Sequence, residues 1–448
     1  MDRRAALTLI PAALLARRAR ARAPRRIVVI GAGLAGLAAA RDLRAAGHEV
    51  MVIEARTRIG GRIHTSRQWP DLPMDLGASW IHGAKGNPIT ALADQAGAAR
   101  VVTSYDRSLA LGPDGSETDL TPAMDMAETL VATARDAADG VETDLSLAVA
   151  IQSSPAWGKA DGETRRLVRH YVNASFEQEY AGDWAEVSAW NIDAGKAFDG
   201  PDVLFPGGYD QIVAHLADGT SVRMGQRVTA LAPVTGGVAV TLADGPTLTF
   251  DHAVVTLPLG VLKSGSVSFA EPLAPARQEA IASLGMGLLN KCWLRFDRIA
   301  WDADVDWIEW LGPKDGQWSQ WVSLGRALQA PVLLAFHAGA QARALEDLDD
   351  DATLSGAHEA LKAMFGTAFP TPVAAQVTRW SQDPFALGSY SFHAVGSSPA
   401  TRRALAGADW DGRLVFAGEA SSSDHPGTAH GAFLSGQAAA RTVMEQAG

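Results

Sequence analysis

Gly31, Gly33 and Gly36 stand at G-x-G-x-x-G spacing, and Glu54 closes the same stretch, "RRIVVIGAGLAGLAAARDLRAAGHEVMVIEA". Each residue type has a chemical use at that spacing. The first glycine makes a tight turn, the second lets the backbone approach a pyrophosphate, and the third lets a helix lie close to a strand. The first turn of that helix, where Ala35 sits, offers free N–H groups and the positive end of the helix dipole to phosphates. Glu54 can accept hydrogen bonds from a ribose hydroxyl. The elements that must position these groups are legible around them. Ile27 to Ile30 is wholly apolar, as a buried parallel strand requires. An alanine- and leucine-rich helix runs to about Ala46, and Gly47 suits its C-terminal stop. A second strand, Glu49 to Ile53, delivers Glu54 at its end. Strand, glycine turn, helix, strand and terminal acid together point to a bound dinucleotide. The motif itself leaves NAD and FAD both open.

Lys291 is a second residue of chemical interest. It stands in the middle of "GLLNKCWLRF", Gly287 to Phe296, which otherwise reads as an apolar strand. An ammonium buried there must find partners or give up its proton. Two readings follow: an edge strand whose lysine points to water, or a perturbed group beside a reacting centre. Its neighbour Cys292 is the one cysteine of the chain, so an intramolecular disulfide and a cysteine zinc site are both excluded. The histidines show no ligand spacing. His425 and His430 come nearest and lack a third partner, so no metal is expected.

The chain has 448 residues, 47% hydrophobic and 20% charged, an ordinary globular composition with room for two domains. A formal charge of −11, with no basic tract beyond the N-terminus, argues against nucleic acid and suits a cationic substrate. The opening "MDRRAALTLIPAALLARRARARAP" carries the twin arginine Arg3-Arg4 and an apolar run, Ala5 to Ala16, too short to span a bilayer. With Ala19-Arg20-Ala21 or Ala21-Arg22-Ala23 as a small-residue cleavage site, residues 1–23 read as a twin-arginine signal for periplasmic or secreted export. The alternative is a basic tail on a cytoplasmic protein. No transmembrane segment is expected.

Further blocks follow in order. "ARTRIGGRIHT" places Gly60-Gly61 for close backbone approach and Arg56, Arg58 and Arg62 as charge for phosphate. "MDLGASWIHG" holds Gly77, Ala78, Ser79, Trp80 and His82. Then come "FPGGYDQIV", "VVTLPLGVLK", "LLNKCW" and "RWSQDPFALGSYSF". In the C-terminal "GRLVFAGEASSSDHPGTAHGAFLSGQAAARTV", a strand meets Gly418-Glu419, and Gly431 and Gly436 suit packing against a flat ligand. These blocks resemble the flavin-dependent amine oxidase superfamily, above all its polyamine oxidases and lysine-specific histone demethylases. The resemblance spans nearly the whole chain after the N-terminal segment.

The resemblance implies an α/β (mixed α+β) fold. A Rossmann-like FAD-binding domain would comprise residues 24–97, 201–264 and 378–448. A substrate-binding domain of sheet plus helices would comprise 98–200 and 265–377. It implies FAD, with Glu54 on the adenosine ribose, Val228 meeting the adenine through its backbone, Arg62 and Glu419 along the phosphates and ribityl chain, and Thr428 and Ala429 beside the isoalloxazine. Arg56, Gly61, Gly77, Ala78, Ser79, Trp80 and Gly418 complete the expected cofactor contacts. The C-terminal region has no cysteine of the kind that holds flavin in monoamine oxidases, so the FAD is expected to be non-covalent. By the same resemblance, Lys291 hydrogen-bonds through a water to flavin N5. Trp380 and Tyr390 wall the amine, with core aromatics as the other reading. His82 and Glu179 look into a substrate tunnel, with a core histidine and a helix-surface glutamate as the other readings.

The activity implied is hydride transfer from an amine to flavin N5, an imine that hydrolyses to aldehyde and amine, and reduction of dioxygen to hydrogen peroxide. A polyamine or other long secondary amine is the expected substrate. An L-amino-acid oxidase, a monoamine oxidase, a desaturase or isomerase, and a non-catalytic flavoprotein are the alternatives. "GASWIHG" lacks the arginine that clamps a substrate carboxylate in amino-acid oxidases, and a helix arginine such as Arg165, Arg166 or Arg169 is the other source for one. The first insert reads as helices with glycine stops, and the acid run Glu346 to Asp351 as a solvated loop ending in a helix N-cap. Oligomeric state is left open.

Overall fold

A computed structural model describes residues 23–446. The twin-arginine segment lies outside the described residues, apart from its last position. Helix and sheet are mixed throughout.

β1 (Arg26–Ile30) and β2 (Glu49–Ile53) pair in parallel, Ile27 opposite Val50 and Ile30 opposite Ile53, with α1 (Leu34–Ala45) as the crossover between them. β3 (His252–Val255) pairs in parallel with the other edge of β1. The six-stranded sheet extends through Val222–Arg223 beyond β2 and through Leu414–Phe416 beyond β3, and ends in the antiparallel Gly407–Asp409. Val28 and Val29 have no exposed surface because β1 lies inside the sheet with both faces covered, which explains its unbroken apolar sequence. On one face, α1 buries Leu37, Ala38, Ala39, Ala40 and Leu43.

The second six-stranded sheet runs Ala374–Val377, β4 (Leu289–Arg295), β5 (Val332–Ala338), Gln320–Ser323, Trp307–Trp310 and Ser108–Leu111. β4 is therefore an interior strand, paired to β5 through Lys291 opposite Phe336 and to Ala374–Val377 through Cys292 opposite Val377. This overturns the edge-strand reading of Lys291, which is only 5% exposed. Strand alternation sends Trp293 to a cluster with Phe336 and Trp307, and sends Cys292 and Leu294 to a different core against the helix Asp350–Phe365.

Helix α2 (Ala429–Gln446) lies along α1. A Cβ at Gly436 would collide with the Ala35 carbonyl oxygen, and one at Gly431 with that of His425. These glycines admit neighbouring backbone, not a flat ligand as the sequence suggested.

Two other expectations change. The helix Gly162–Val172 continues through a π turn, Asn173–Glu177, into Gln178–Tyr180, and its left-handed terminal residue is Ala181 (φ 57°), not a glycine. Gly182 is needed instead because a Cβ there would strike Val187. In the acid run, Asp349 does cap its helix, accepting from Ala352 N at 2.8 Å, but Glu346 is buried. It accepts from Asn290 Nδ2 at 2.7 Å, a buried donor that would otherwise be unpaired, and from Ser381 N at 3.1 Å. No helix among the described residues is long and apolar enough to cross a membrane.

Candidate functional site

A cavity of about 420 Å³ is lined by residues from both large sheets and from the helical insert. At one end the turn after β1 supplies Gly31 and Gly33. Gly31 has φ 106°, and a Cβ would sit 2.6 Å from Thr256 Oγ1. A Cβ at Gly33 would meet nothing closer than Gly60 O at 4.0 Å, and one at Gly418 (φ 138°) would meet nothing within 4 Å, so bare backbone faces open cavity at both. Gly33 also offers no side chain to cap α1, leaving first-turn N–H groups free near Ala35. A phosphate fits such a cradle. Gly36 does not line the cavity. Its Cβ would collide with Gly31 O, so its role is the close approach of helix to turn.

Glu54 accepts from Ala32 N and Arg56 N, both at 2.8 Å, which fixes its carboxylate at the cavity wall. Val228 lies beside it, because Gln226 N donates to Glu54 O at 2.9 Å. Arg56 is held by Asp383 at 2.6 Å. Arg58, expected to face phosphate, spends its head on Ile59 O and Ile63 O, and burial, then Arg56, pushes it down to about 10.

Arg62 meets Glu419 at 2.8 Å. Glu419 accepts from Ser391 Oγ at 2.6 Å, and Ser391 Oγ accepts from Arg402 Nη1, also at 2.6 Å. Arg402 is wholly buried and donates its Nε to His393 Nε2 at 2.9 Å. Burial, then Arg402, pushes His393 down to about 4, so the ring is the neutral acceptor this bond requires. Burial raises Glu419, but Arg62, Arg402 and the hydrogen bonds outweigh it and hold the carboxyl below its usual range. Thr428 and Ala429 stand at the start of α2, with Thr428 Oγ1 accepting from Gly431 N at 2.9 Å.

Lys291 reaches the cavity from β4. Its Nζ donates to Gly77 O at 2.6 Å, Ser79 Oγ at 2.5 Å and Asp75 O at 3.1 Å. Three acceptors match the three donors of an ammonium. Burial lowers the lysine and raises the Asp75 carboxyl, each opposed by the other's charge. Trp80 lies 5.7 Å from Nζ and Phe336 6.0 Å, within cation–π range. The 75–79 turn fits only because Gly77 lacks a Cβ, which would collide with Arg62 O. Gly61 and Ala78 complete this wall.

Trp380 and Tyr390 line the same space. Trp380 Nε1 donates to Leu76 O at 3.2 Å and its N to Asn290 Oδ1 at 3.1 Å, so buried Glu346 acts on it through Asn290. Tyr390 OH donates to Gln178 O at 2.9 Å. His82 and Glu179 are also cavity residues, so neither the core-histidine nor the outer-surface reading holds. His82 Nδ1 lies 2.9 Å from Asp202 Oδ2, and its ring stacks on Trp80 at 6.2 Å. The Glu179 carboxylate is exposed and has no side-chain partner among the described residues. The sequence singled out neither Asp202, Arg402, Tyr105 nor Trp307. Asp75 and Ser391 lay unremarked within quoted blocks. Tyr105 stacks on Trp307 at 4.3 Å, extending the aromatic wall from Trp80.

The family described as "Flavin containing amine oxidoreductase" matches residues 34–444. Polyamine oxidase 2 of Arabidopsis thaliana is 34% identical over 92% of this chain and 87% of its own length. Polyamine oxidase 4 of Oryza sativa subsp. japonica is 35% identical over 93% of this chain and 88% of its own. Lysine-specific histone demethylase 1 homolog 1 of the same rice is 33% identical over 95% of this chain and 53% of its own.

Ser391→Ala would cut the link between Arg402 and Glu419. It is expected to cost about 1–3 kcal/mol in chemical denaturation, whereas Ser264→Ala at an exposed helix end should stay within about 0.5 kcal/mol. Equal effects would show that the buried link contributes nothing special.

Proposed function

The chain belongs to the flavin-containing amine oxidoreductase family and is an FAD-dependent amine oxidase, and from that premise we propose that its substrate is a polyamine or another long secondary amine. FAD held in the cavity would supply the redox chemistry, taking up the amine's hydride and returning the electrons to dioxygen, with the imine product hydrolysing to aldehyde and amine. The chain's own residues bind, orient and polarise. Glu54, Val228 and the Gly33 cradle would hold the adenosine and phosphates, Arg62 and Glu419 the chain beyond, and Thr428 and Ala429 the ring. Trp380 and Tyr390 would flank the amine. Lys291, its three donors held by Asp75 O, Gly77 O and Ser79 Oγ, would supply a fixed positive charge beside the reacting atoms.

One observation carries the substrate reading: the Glu179 carboxylate, without a side-chain partner among the described residues, lines the same aromatic-walled cavity as Lys291. A long cation can leave a charged nitrogen on Glu179 and present a neutral one at the flavin. The helix arginines that an amino-acid oxidase could use as a carboxylate clamp are engaged elsewhere among the described residues, Arg165 with Trp157 O at 3.3 Å. Arg56 and Arg62 are paired with acids, Arg166 is turned to Leu311 O, and Arg169 to Glu177.

The two-domain division is part of the proposal. It is supported by the sheets: every strand of the β1 sheet falls within 24–97, 201–264 and 378–448, and every strand of the β4 sheet within 98–200 and 265–377. Non-covalent FAD is supported by Cys292, which is 2% exposed, is not a cavity residue, and is pushed up to about 12 by burial.

Anaerobic mixing with spermidine or spermine should bleach the flavin faster than mixing with short monoamines or amino acids. Glu179→Gln should weaken the long substrate by about 1–3 kcal/mol and hardly touch a short one. Rapid bleaching by an amino acid alone would refute the assignment. Acid precipitation should leave the yellow colour in the supernatant, and colour in the pellet would mean a covalent link.

A further inference from the structure

The helix Gly162–Val172 changes its winding as it nears the cavity. In the π turn Asn173–Glu177, Gln178 N donates to the Asn173 carbonyl five residues back, and the chain then runs on as the short helix Gln178–Tyr180. Such turns are rare and cluster at functional sites. Ala174, Gln178, Glu179 and Tyr180 all line the cavity. In an unbroken α-helix Gln178 would lie beneath Ala174, and Glu179 would point about 100° away from it. A turn closed over five residues brings Glu179 back toward the face of Ala174.

A buried polar network holds this turn. The Glu177 carboxylate accepts from Asn173 Nδ2 at 2.8 Å, from Trp184 N at 3.1 Å and from Arg169 Nη2 at 3.4 Å. Asn173 Oδ1 accepts from Gln178 Nε2 and from Ser319 Oγ, both at 3.0 Å. Asn173, Glu177, Gln178 and Ser319 are all buried. Gly316 leaves room for them, since a Cβ there would sit 2.5 Å from Asn173 Nδ2. The exit is pinned as well. Leu288 N, just ahead of β4, donates to Ala181 O at 2.8 Å, and the Gln178 carbonyl at the helix end accepts from Tyr390 OH at 2.9 Å.

We propose that Glu177 and Asn173 are positioning residues: by holding the π turn they aim Glu179 into the cavity and the Gln178 carbonyl at Tyr390, and so set a preference for ligands with a second charged nitrogen. The proposal rests on the amine-substrate reading above and names what fixes the acid in that reading. Neither residue lines the cavity itself, so each must act on a ligand through Glu179 and Tyr390.

The test compares decamethonium with decyltrimethylammonium on FAD-loaded protein, with binding read by tryptophan fluorescence. The two share one alkyl length and differ in a second quaternary nitrogen, and neither has the nitrogen lone pair that oxidation to an imine requires. Wild type is expected to bind decamethonium severalfold more tightly. Glu179→Gln should remove most of that preference. Glu177→Gln should do the same, because an amide keeps one acceptor oxygen and turns an NH2 toward Asn173 Nδ2 or Trp184 N. The double variant should lose no more than Glu179→Gln alone, the non-additivity of two residues acting at one contact. A Glu177→Gln variant with the wild-type preference, or losses that multiply in the double variant, would overturn the proposal. Should Glu177→Gln fail to fold, Ser319→Ala removes one Asn173 bond and leaves the carboxylate in place. It should show a smaller loss of preference that vanishes in the Glu179→Gln background, and an unchanged preference would count against the proposal equally. Polyamines that fail to reduce the flavin while the preference behaves as expected would overturn the substrate reading alone. Polyamine oxidation with a wild-type preference in Glu177→Gln would overturn the positioning role alone. A wild type that does not distinguish the two ligands would overturn both.

Discussion

An ammonium taken out of water must be compensated where it lands, and Lys291 is the point at which this chain meets that constraint. Removing one partner from a buried charge costs about 3–5 kcal/mol, far more than an exposed ion pair is worth. The compensation is mostly main chain: the carbonyls of Asp75 and Gly77, with the Ser79 hydroxyl. Main-chain acceptors cannot be moved without moving the turn. The turn depends on Gly77 packing against Arg62 O, and Arg62 is tied to Glu419 at the far end of the chain. β4 in one sheet, the 75–79 turn and the C-terminal segment are thus held in one geometry.

The charge layout follows from this. All three Lys291 donors are spoken for, so what the lysine gives the cavity is first a fixed charge. The acids Asp202 and Glu179 face His82, and of the two only Asp202 has a side-chain partner among the described residues. The rings of Trp80, Trp307 and Phe336 share the cavity wall, with Tyr105 stacked on Trp307. For a chain with several nitrogens, acid and π faces in one part of the cavity and the lysine's charge in another would favour charged distal nitrogens and a neutral reacting one.

The parts legible in sequence were those governed by local chemistry. The glycine turn, α1, both flanking strands and Glu54 needed only neighbouring residues, and the structure begins β2 at Glu49 and ends it at Ile53. What failed was non-local. Nothing in "GLLNKCWLRF" tells that a strand from residues 374–377 covers its outer edge. Gly436 read as ligand-facing because the approach of α1 lies some four hundred residues back along the chain. Glu346 read as solvated because its donors, Asn290 and Ser381, belong to other elements. Asp202 and Arg402 carry no local signature, since each matters only through a partner that strand pairing or helix packing brings to it.

The most direct measurement is rapid-mixing kinetics of Lys291→Met, following flavin reduction by amine and reoxidation by dioxygen separately. If the clamped ammonium supplies the charge at the reacting atoms, the variant should still bind FAD, because the cradle at Gly33 and Glu54 is untouched. At least one half-reaction should then slow by an amount equivalent to about 2–4 kcal/mol. Full FAD occupancy with both half-reactions running at the wild-type rate would contradict it.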